Sequence, residues 1–194
     1  MQSLEEQARR YATEVHAAAG QRRKYTDEPY IVHPAAVVEL VRSVTDNENM
    51  LAAAWLHDTV EDTGTTLEDI ARQFGPQIAE LVDMLTDKKQ PQAKNRVARK
   101  VAHFRHTAAA APDAQTIKLA DIIDNTRAIV QYDPHFARIY LVEKQVQIGL
   151  LQQGDPTLWQ QAQMTIAQGI IQLRQRPYNV PEAWFEKQAA KYAL

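Results

Sequence analysis

Four positions carry side chains suited to metal chemistry. His33 precedes Pro34 in Tyr30-Ile31-Val32-His33-Pro34, His57 and Asp58 are adjacent, and Asp121 lies in Lys118-Leu119-Ala120-Asp121. Two imidazoles and two carboxylates form a mixed nitrogen and oxygen set. Such a set suits a divalent transition ion and leaves coordination positions for water and substrate. Glu61 stands four residues after His57, and Asp62 four after Asp58. Residues four apart share a helix face. If the helix continues that far, both carboxylates sit one turn from the pair, where they can orient or deprotonate an attacking water. Asn125 stands four after Asp121 and reaches the same cavity. An isolated His-Asp dipeptide is more often an accident or a cap than a ligand pair. The ordered series, with the Glu-Asp pair behind it, is much less readily an accident, and the wider motifs around it carry most of the reading.

Helices must deliver these groups into one core, a usual place for such sites in helical bundles. Leu4, Ala8, Tyr11, Ala12 and Val15 recur at helical spacing and predict a helix ending near Gly20. Residues 21–32 read as a loop holding Arg22-Arg23-Lys24 and Asp27-Glu28-Pro29. Pro34 suits the first turn of a helix to about Ser43, and another helix is expected over about 48–60. Thr66-Leu67-Glu68-Asp69 looks like a capping box, and Gly75-Pro76 stops that helix. Ile78, Leu81, Val82 and Leu85 stripe the next one. Further helices fit 92–110, 115–130, 134–153, 157–175 and 182–192, punctuated by Pro112, Pro134, Pro156 and Pro181. No alternating strand stands out. The expected fold class is all-α, a helical bundle with a metal site in its core.

The chain has 194 residues, a one-domain length. It has no cysteine, which excludes disulfide scaffolds, thiolate metal centres and cysteine nucleophiles. Its 22 Lys+Arg against 24 Asp+Glu give a net charge of −2. That balance argues against a chain built mainly for nucleic acid or an anionic membrane. The N-terminus is polar and acidic, unlike a signal or transit peptide, and no long apolar run spans a membrane. A cytoplasmic protein is expected, with homo-oligomerisation left open.

These motifs resemble the HD-domain superfamily of metal-dependent phosphohydrolases. More closely, they resemble the hydrolase domain of the RelA/SpoT alarmone enzymes and their single-domain relatives, the small alarmone hydrolases of metazoan SpoT-homologue type. The resemblance rests on Gln21-Arg22-Arg23-Lys24 with Pro29-Tyr30-Ile31-Val32-His33-Pro34, and above all on Ala53-Ala54-Trp55-Leu56-His57-Asp58-Thr59-Val60-Glu61-Asp62-Thr63. Thr66 to Gly75, Val82 to Lys88, and Lys118-Leu119-Ala120-Asp121 with Asn125 and Arg127 continue it. It covers about residues 5–175 and leaves 176–194 as a C-terminal extension.

The resemblance implies that His33, His57, Asp58 and Asp121 ligate one manganese ion. It implies that Glu61 and Asp62 position and activate water, and that Arg23, Lys24, Asn125 and Tyr140 contact the nucleotide. The implied reaction releases pyrophosphate from the 3′ position of guanosine 3′,5′-bispyrophosphates and leaves GDP or GTP. The partner is then a small nucleotide polyphosphate. One departure concerns Ile122, Asp124 and Ala128, where the family commonly carries a basic residue, a His or Tyr, and a polar residue. This wall becomes less positive, which opens the choice of nucleotide to adenosine alarmones, NADPH or a nucleoside monophosphate. A non-enzymatic nucleotide sensor is the remaining alternative.

Other groups have plainer readings. Lys88, Lys89, Lys94, Arg96, Arg99 and Lys100 read first as a solvated helix face, and otherwise as cations drawing polyphosphate to the cleft. His103 and His106 are three apart but lack accompanying carboxylates. His16 and His135 read as ordinary surface or partly buried histidines. Trp55 reads as core, and Trp159, Ile166, Ile170 and Leu173 as a core stripe. Pro177, Pro181, Trp184 and Phe185 point to a tail docked on the body or on a partner.

Overall fold

The computed structural model describes residues 1–193. Among these, twelve helices form and no strand does; the single β-bridge joins Arg22 and Pro29. In chain order the helices are α1 (Leu4–Ala18), α2 (Val32–Arg42), α3 (Glu48–Leu56), α4 (Thr59–Asp62), α5 (Leu67–Phe74) and α6 (Pro76–Leu85). They continue as α7 (Arg96–Ala108), α8 (Pro112–Thr126), α9 (Ile129–Tyr132), α10 (Pro134–Ile148), α11 (Pro156–Arg174) and α12 (Glu182–Ala190). The all-α expectation holds.

Two helices form the centre. Every residue of α3 from Met50 to Leu56 is buried, and α8 buries all of Ala114 to Ile123 except Lys118. Helix α3 packs against α1, α2 and α6, while α8 packs against α2 and α11. The alanines at 52, 53 and 54 keep α3 thin enough for neighbours on several sides. Gly154 serves the same end on α8. A Cβ there would stand 2.7 Å from Leu119 and 3.2 Å from the Gln115 backbone. Its absence lets Gln153 N donate to Gln115 Oε1 and Asp155 N to Thr116 Oγ1.

Local chemistry sets the helix ends. Thr66 and Asp69 form the expected capping box. Asn95 accepts from Ala98 N, so α7 starts at Arg96 and not at 92. Pro112 opens α8 three residues before the expected start, and α8 ends at Thr126, before the separate turn α9. The helix expected over 48–60 breaks at His57 and Asp58. Thr59 Oγ1 donates to the Leu56 carbonyl at 2.7 Å and His57 Nδ1 to the Ala54 carbonyl at 2.7 Å, which satisfies groups at the end of α3. Asp58 then adopts φ −103°, ψ −2°, the sparsely allowed bridge region often found at functional residues.

Residues near the C-terminus dock on the body. Helix α12 packs on α10, and Tyr192 donates to Glu143 Oε1 at 2.8 Å. Arg96 grips the same buried carboxylate through two nitrogens at 2.7 and 2.9 Å. Arg96 is thus committed to a structural ion pair. The stripe on α11 forms in part: Ile166 and Leu173 are buried, Trp159 and Ile170 are half-buried, and Leu158 and Ala162 complete the buried face. Arg96→Ala leaves Glu143 with only a neutral partner and, given the partial exposure of the arginine, is expected to cost about 2 kcal/mol in urea denaturation. Tyr192→Phe is expected to cost about 1 kcal/mol. A larger loss from the tyrosine change would show that the charge pair is not what secures Glu143.

Candidate metal centre

The bend after α3 aims His57 and Asp58 at α8. His33, in the first turn of α2, faces Asp121 in the middle of α8. The four groups each offer a ligand atom, and these atoms all lie within 4.8 Å of one another. His33 Nε2 stands 2.9 Å from Asp121 Oδ1 and 3.6 Å from Asp58 Oδ2. His57 Nε2 stands 3.1 Å from Asp58 Oδ2 and 3.5 Å from Asp121 Oδ1. Both imidazoles are buried.

The donor set fits a divalent cation. His57 Nδ1 is taken by the Ala54 carbonyl, which leaves Nε2 as the nitrogen facing the two carboxylates. That buried Nε2 has no aligned hydrogen-bond partner, and an orphaned buried polar atom is costly. The electrostatics point the same way. Burial lowers a histidine's affinity for protons, yet Asp58 and Asp121 raise His57 well above its usual range. Burial likewise works against Asp58 and Asp121, but His57 and Lys118 respectively hold both below the usual carboxylate range. Two buried carboxylates demand positive charge beside them, and a cation meets that demand.

The remaining carboxylates sit at the edge of this cluster. The N–H of Asp62 bonds the Asp58 carbonyl at 3.1 Å in the single turn of α4 that follows the break, so the one-turn spacing of Asp58 and Asp62 survives. Asp62 Oδ2 accepts from Gln21 Nε2 at 3.0 Å. Gln21 in turn bonds His16 Nδ1 at 2.8 Å. His16, expected at or near the surface, is instead fully buried and packs on Tyr30 at 4.8 Å between ring centroids. Glu61 accepts from the Asp87 backbone N–H. Burial pushes Glu61 up to about 7, with the Asp87 and Asp58 charges adding to the rise.

The loop expected over 21–32 is a tight turn. Arg22 bridges Pro29, Arg23 N–H donates to the Glu28 carbonyl at 2.8 Å, and Asp27 takes φ 58°, a conformation aspartate tolerates. This turn carries Arg23 to Asn125 Oδ1, with both terminal nitrogens at 3.3 Å. Lys24 Nζ lies 5.6 Å from the centroid of Phe136. Tyr140 accepts from Thr126 Oγ1 at 3.4 Å. Arg23, Lys24, Asn125, Phe136 and Tyr140 line one cleft of about 440 Å³ that runs past Glu61 and Asp62 to Asp58 and Asp121. The cleft therefore brings Glu61, Asp62, Arg23, Lys24, Asn125 and Tyr140 to the four clustered groups.

Sequence reasoning missed two participants, Tyr30 and Lys144, and the partner of a third, Asp124. Tyr30 donates to Asp58 Oδ2 at 2.6 Å and orients that carboxylate. Lys144 lines the cleft with its amine 5.2 Å from the Tyr140 ring centroid, and burial pushes it down to about 7. The four-residue spacing from Tyr140 was its only signal. Asp124 also lines the cleft, but its carboxylate turns to His33 Nδ1 at 2.6 Å. His103 and His106 form no metal pair, since their Nε2 atoms bond the carbonyls of Lys88 and Asp83.

A family model described as an HD domain matches residues 8–147. The chain belongs to the HD-domain family. This HD domain has curated relatives of related description. It is 37% identical over 131 residues to a probable guanosine-3′,5′-bis(diphosphate) 3′-pyrophosphohydrolase of Synechocystis, an alignment covering 66% of this chain but 17% of that protein. It is 38% identical to the guanosine-3′,5′-bis(diphosphate) 3′-pyrophosphohydrolase MESH1 of Mus musculus, over 61% of this chain and 66% of that one. Among solved structures, a metazoan orthologue of SpoT, described as hydrolysing ppGpp, matches with TM-score 0.76 and 28% identity. That match covers 87% of this chain and 96% of the other.

Glu61 in the metal-free protein is expected to titrate near 7, protonated below and charged above. A cation bound beside it favours the carboxylate, so adding a diamagnetic divalent ion such as magnesium should move the midpoint down. Carbon-13 NMR of labelled glutamate, assigned with Glu61→Gln, reads this directly. A midpoint that stays put on metal binding would place Glu61 away from the ion.

Proposed function

We propose that this HD domain is a manganese-dependent pyrophosphohydrolase of guanosine 3′,5′-bispyrophosphate alarmones, releasing pyrophosphate and GDP or GTP. The observation that carries the reading is the continuity of one cleft. A two-histidine, two-aspartate cluster at its inner end joins a cation-and-aromatic wall of nucleotide size. The relatives' descriptions supply the substrate class.

His33, His57, Asp58 and Asp121 hold one ion. That ion supplies acidity to water and positive charge to the phosphate oxygens. An all-nitrogen-and-oxygen donor set with two carboxylates suits manganese. Glu61 accepts a proton from the attacking water, and its raised proton affinity matches a base working near neutral pH. Asp62, braced by Gln21, orients the same water. Arg23 and Lys24 hold the nucleotide from the turn, and the Arg23 guanidinium can stack on a base. Asn125 fixes Arg23, while Tyr140 lies under the opposite wall with Lys144 above it. A phosphate arriving at Lys144 favours its charged form, which burial otherwise opposes.

The test is a panel of 3′-phosphorylated nucleotides with added manganese. Pyrophosphate released from ppGpp is the expected product, and release of inorganic phosphate alone would overturn the reading. Adenosine alarmones in the same panel, with the 2′-phosphorylated NADPH beside it, rank the competing substrates. Glu61→Ala should keep manganese yet lose at least about 100-fold in turnover. Loss of the metal in that variant would make Glu61 a ligand. Arg23→Ala should act chiefly on KM.

A further inference from the structure

We propose that Asp124 is a positioning residue for the metal centre, orienting His33 toward the ion while sharing its carboxylate with Arg23 of the nucleotide-facing turn. An imidazole offers its lone pair from whichever nitrogen lacks the proton. His33 Nδ1 lies 2.6 Å from Asp124 Oδ2, so the proton is held on that side and Nε2 faces the cluster. His33 is wholly buried, and the bond replaces solvent that the ring has lost. The second imidazole is oriented differently. His57 Nδ1 donates to the neutral Ala54 carbonyl. A carboxylate partner raises the basicity of a ligating imidazole more than a carbonyl does, and such partners commonly set metal affinity.

The same Oδ2 lies 3.9 Å from Arg23 Nη2. A closed ring results. It runs from His33 to Asp124, to Arg23, to Asn125 Oδ1 at 3.3 Å, from Asn125 Nδ2 to Asp121 Oδ1 at 2.8 Å, and back to His33 Nε2 at 2.9 Å. The ring ties two metal-facing side chains to one nucleotide-facing cation. When Arg23 turns to a phosphate, Asp124 loses its competing cation and acts on His33 alone. Metal and nucleotide are thereby linked, and such linkage is reciprocal.

The inference rests on the divalent-cation reading of the site and not on the nucleotide's identity. Manganese binding is therefore measured by calorimetry on protein without nucleotide. Asp124→Ala is expected to weaken binding about 10- to 100-fold. Asp124→Asn keeps the shape and an acceptor oxygen for Nδ1–H but loses the charge, and its affinity should fall between. Arg23→Ala is expected to hold or tighten manganese. With nucleotide present, turnover of the Asp124 variants should return at saturating manganese, which a folding defect would not allow. Wild-type protein that takes up no manganese would overturn both the cation reading and this inference. Normal wild-type binding with Asp124→Asn and Asp124→Ala both within twofold would overturn the role of Asp124 alone. Weakening by Arg23→Ala equal to that of Asp124→Ala would do the same.

Discussion

Two aspartate carboxylates and two imidazoles lie against one another in the middle of a helical bundle, and that placement constrains everything around them. Charge in a poorly solvated interior is tolerated only when paired and hydrogen-bonded. Each group here has its own support. Tyr30 donates to Asp58, Lys118 and Asn125 donate to Asp121, Ala54 accepts from His57, and Asp124 holds His33. These supports come from α3, α8 and the turn before α2, and His33 itself from α2, so the centre cannot form until those elements have met. The fold and the site are one assembly, with α3 and α8 as its most buried members.

The elements differ in how far their sequence foretells them. Helix periodicity, proline and capping residues mark most helices, and the resemblance of the motifs around His33, His57-Asp58 and Asp121 to HD-domain enzymes picks out the four clustered groups. Within one element the four-residue rule also works, bringing Asp62 near Asp58 and Asn125 near Asp121. It fails at the end of α3, because hydrogen bonds from His57 and Thr59 to carbonyls stop the helix where its apolar pattern would continue. It is silent on contacts between distant segments. The 91-residue separation of His33 and Asp124 carries no period that announces their meeting. On sequence alone Asp124 reads as making the cleft wall less positive and opening the choice of nucleotide. In the structure its charge is turned toward His33 and Arg23.

Helix α10 shows how one element serves both structure and cleft. Glu143 and Lys144 are neighbours in sequence and point about 100° apart around the helix. Glu143 is buried against Arg96 and Tyr192, and Lys144 faces the cleft beside Tyr140. A carboxylate in the cleft would neutralise the ammonium that a polyphosphate needs. The Arg96 and Tyr192 contacts keep Glu143 occupied elsewhere. The residues near the C-terminus thus do more than cover an apolar face. By holding Tyr192 on Glu143 they keep α10 in the rotation that leaves Lys144 facing the cleft, and so contribute to the charge that a substrate would meet.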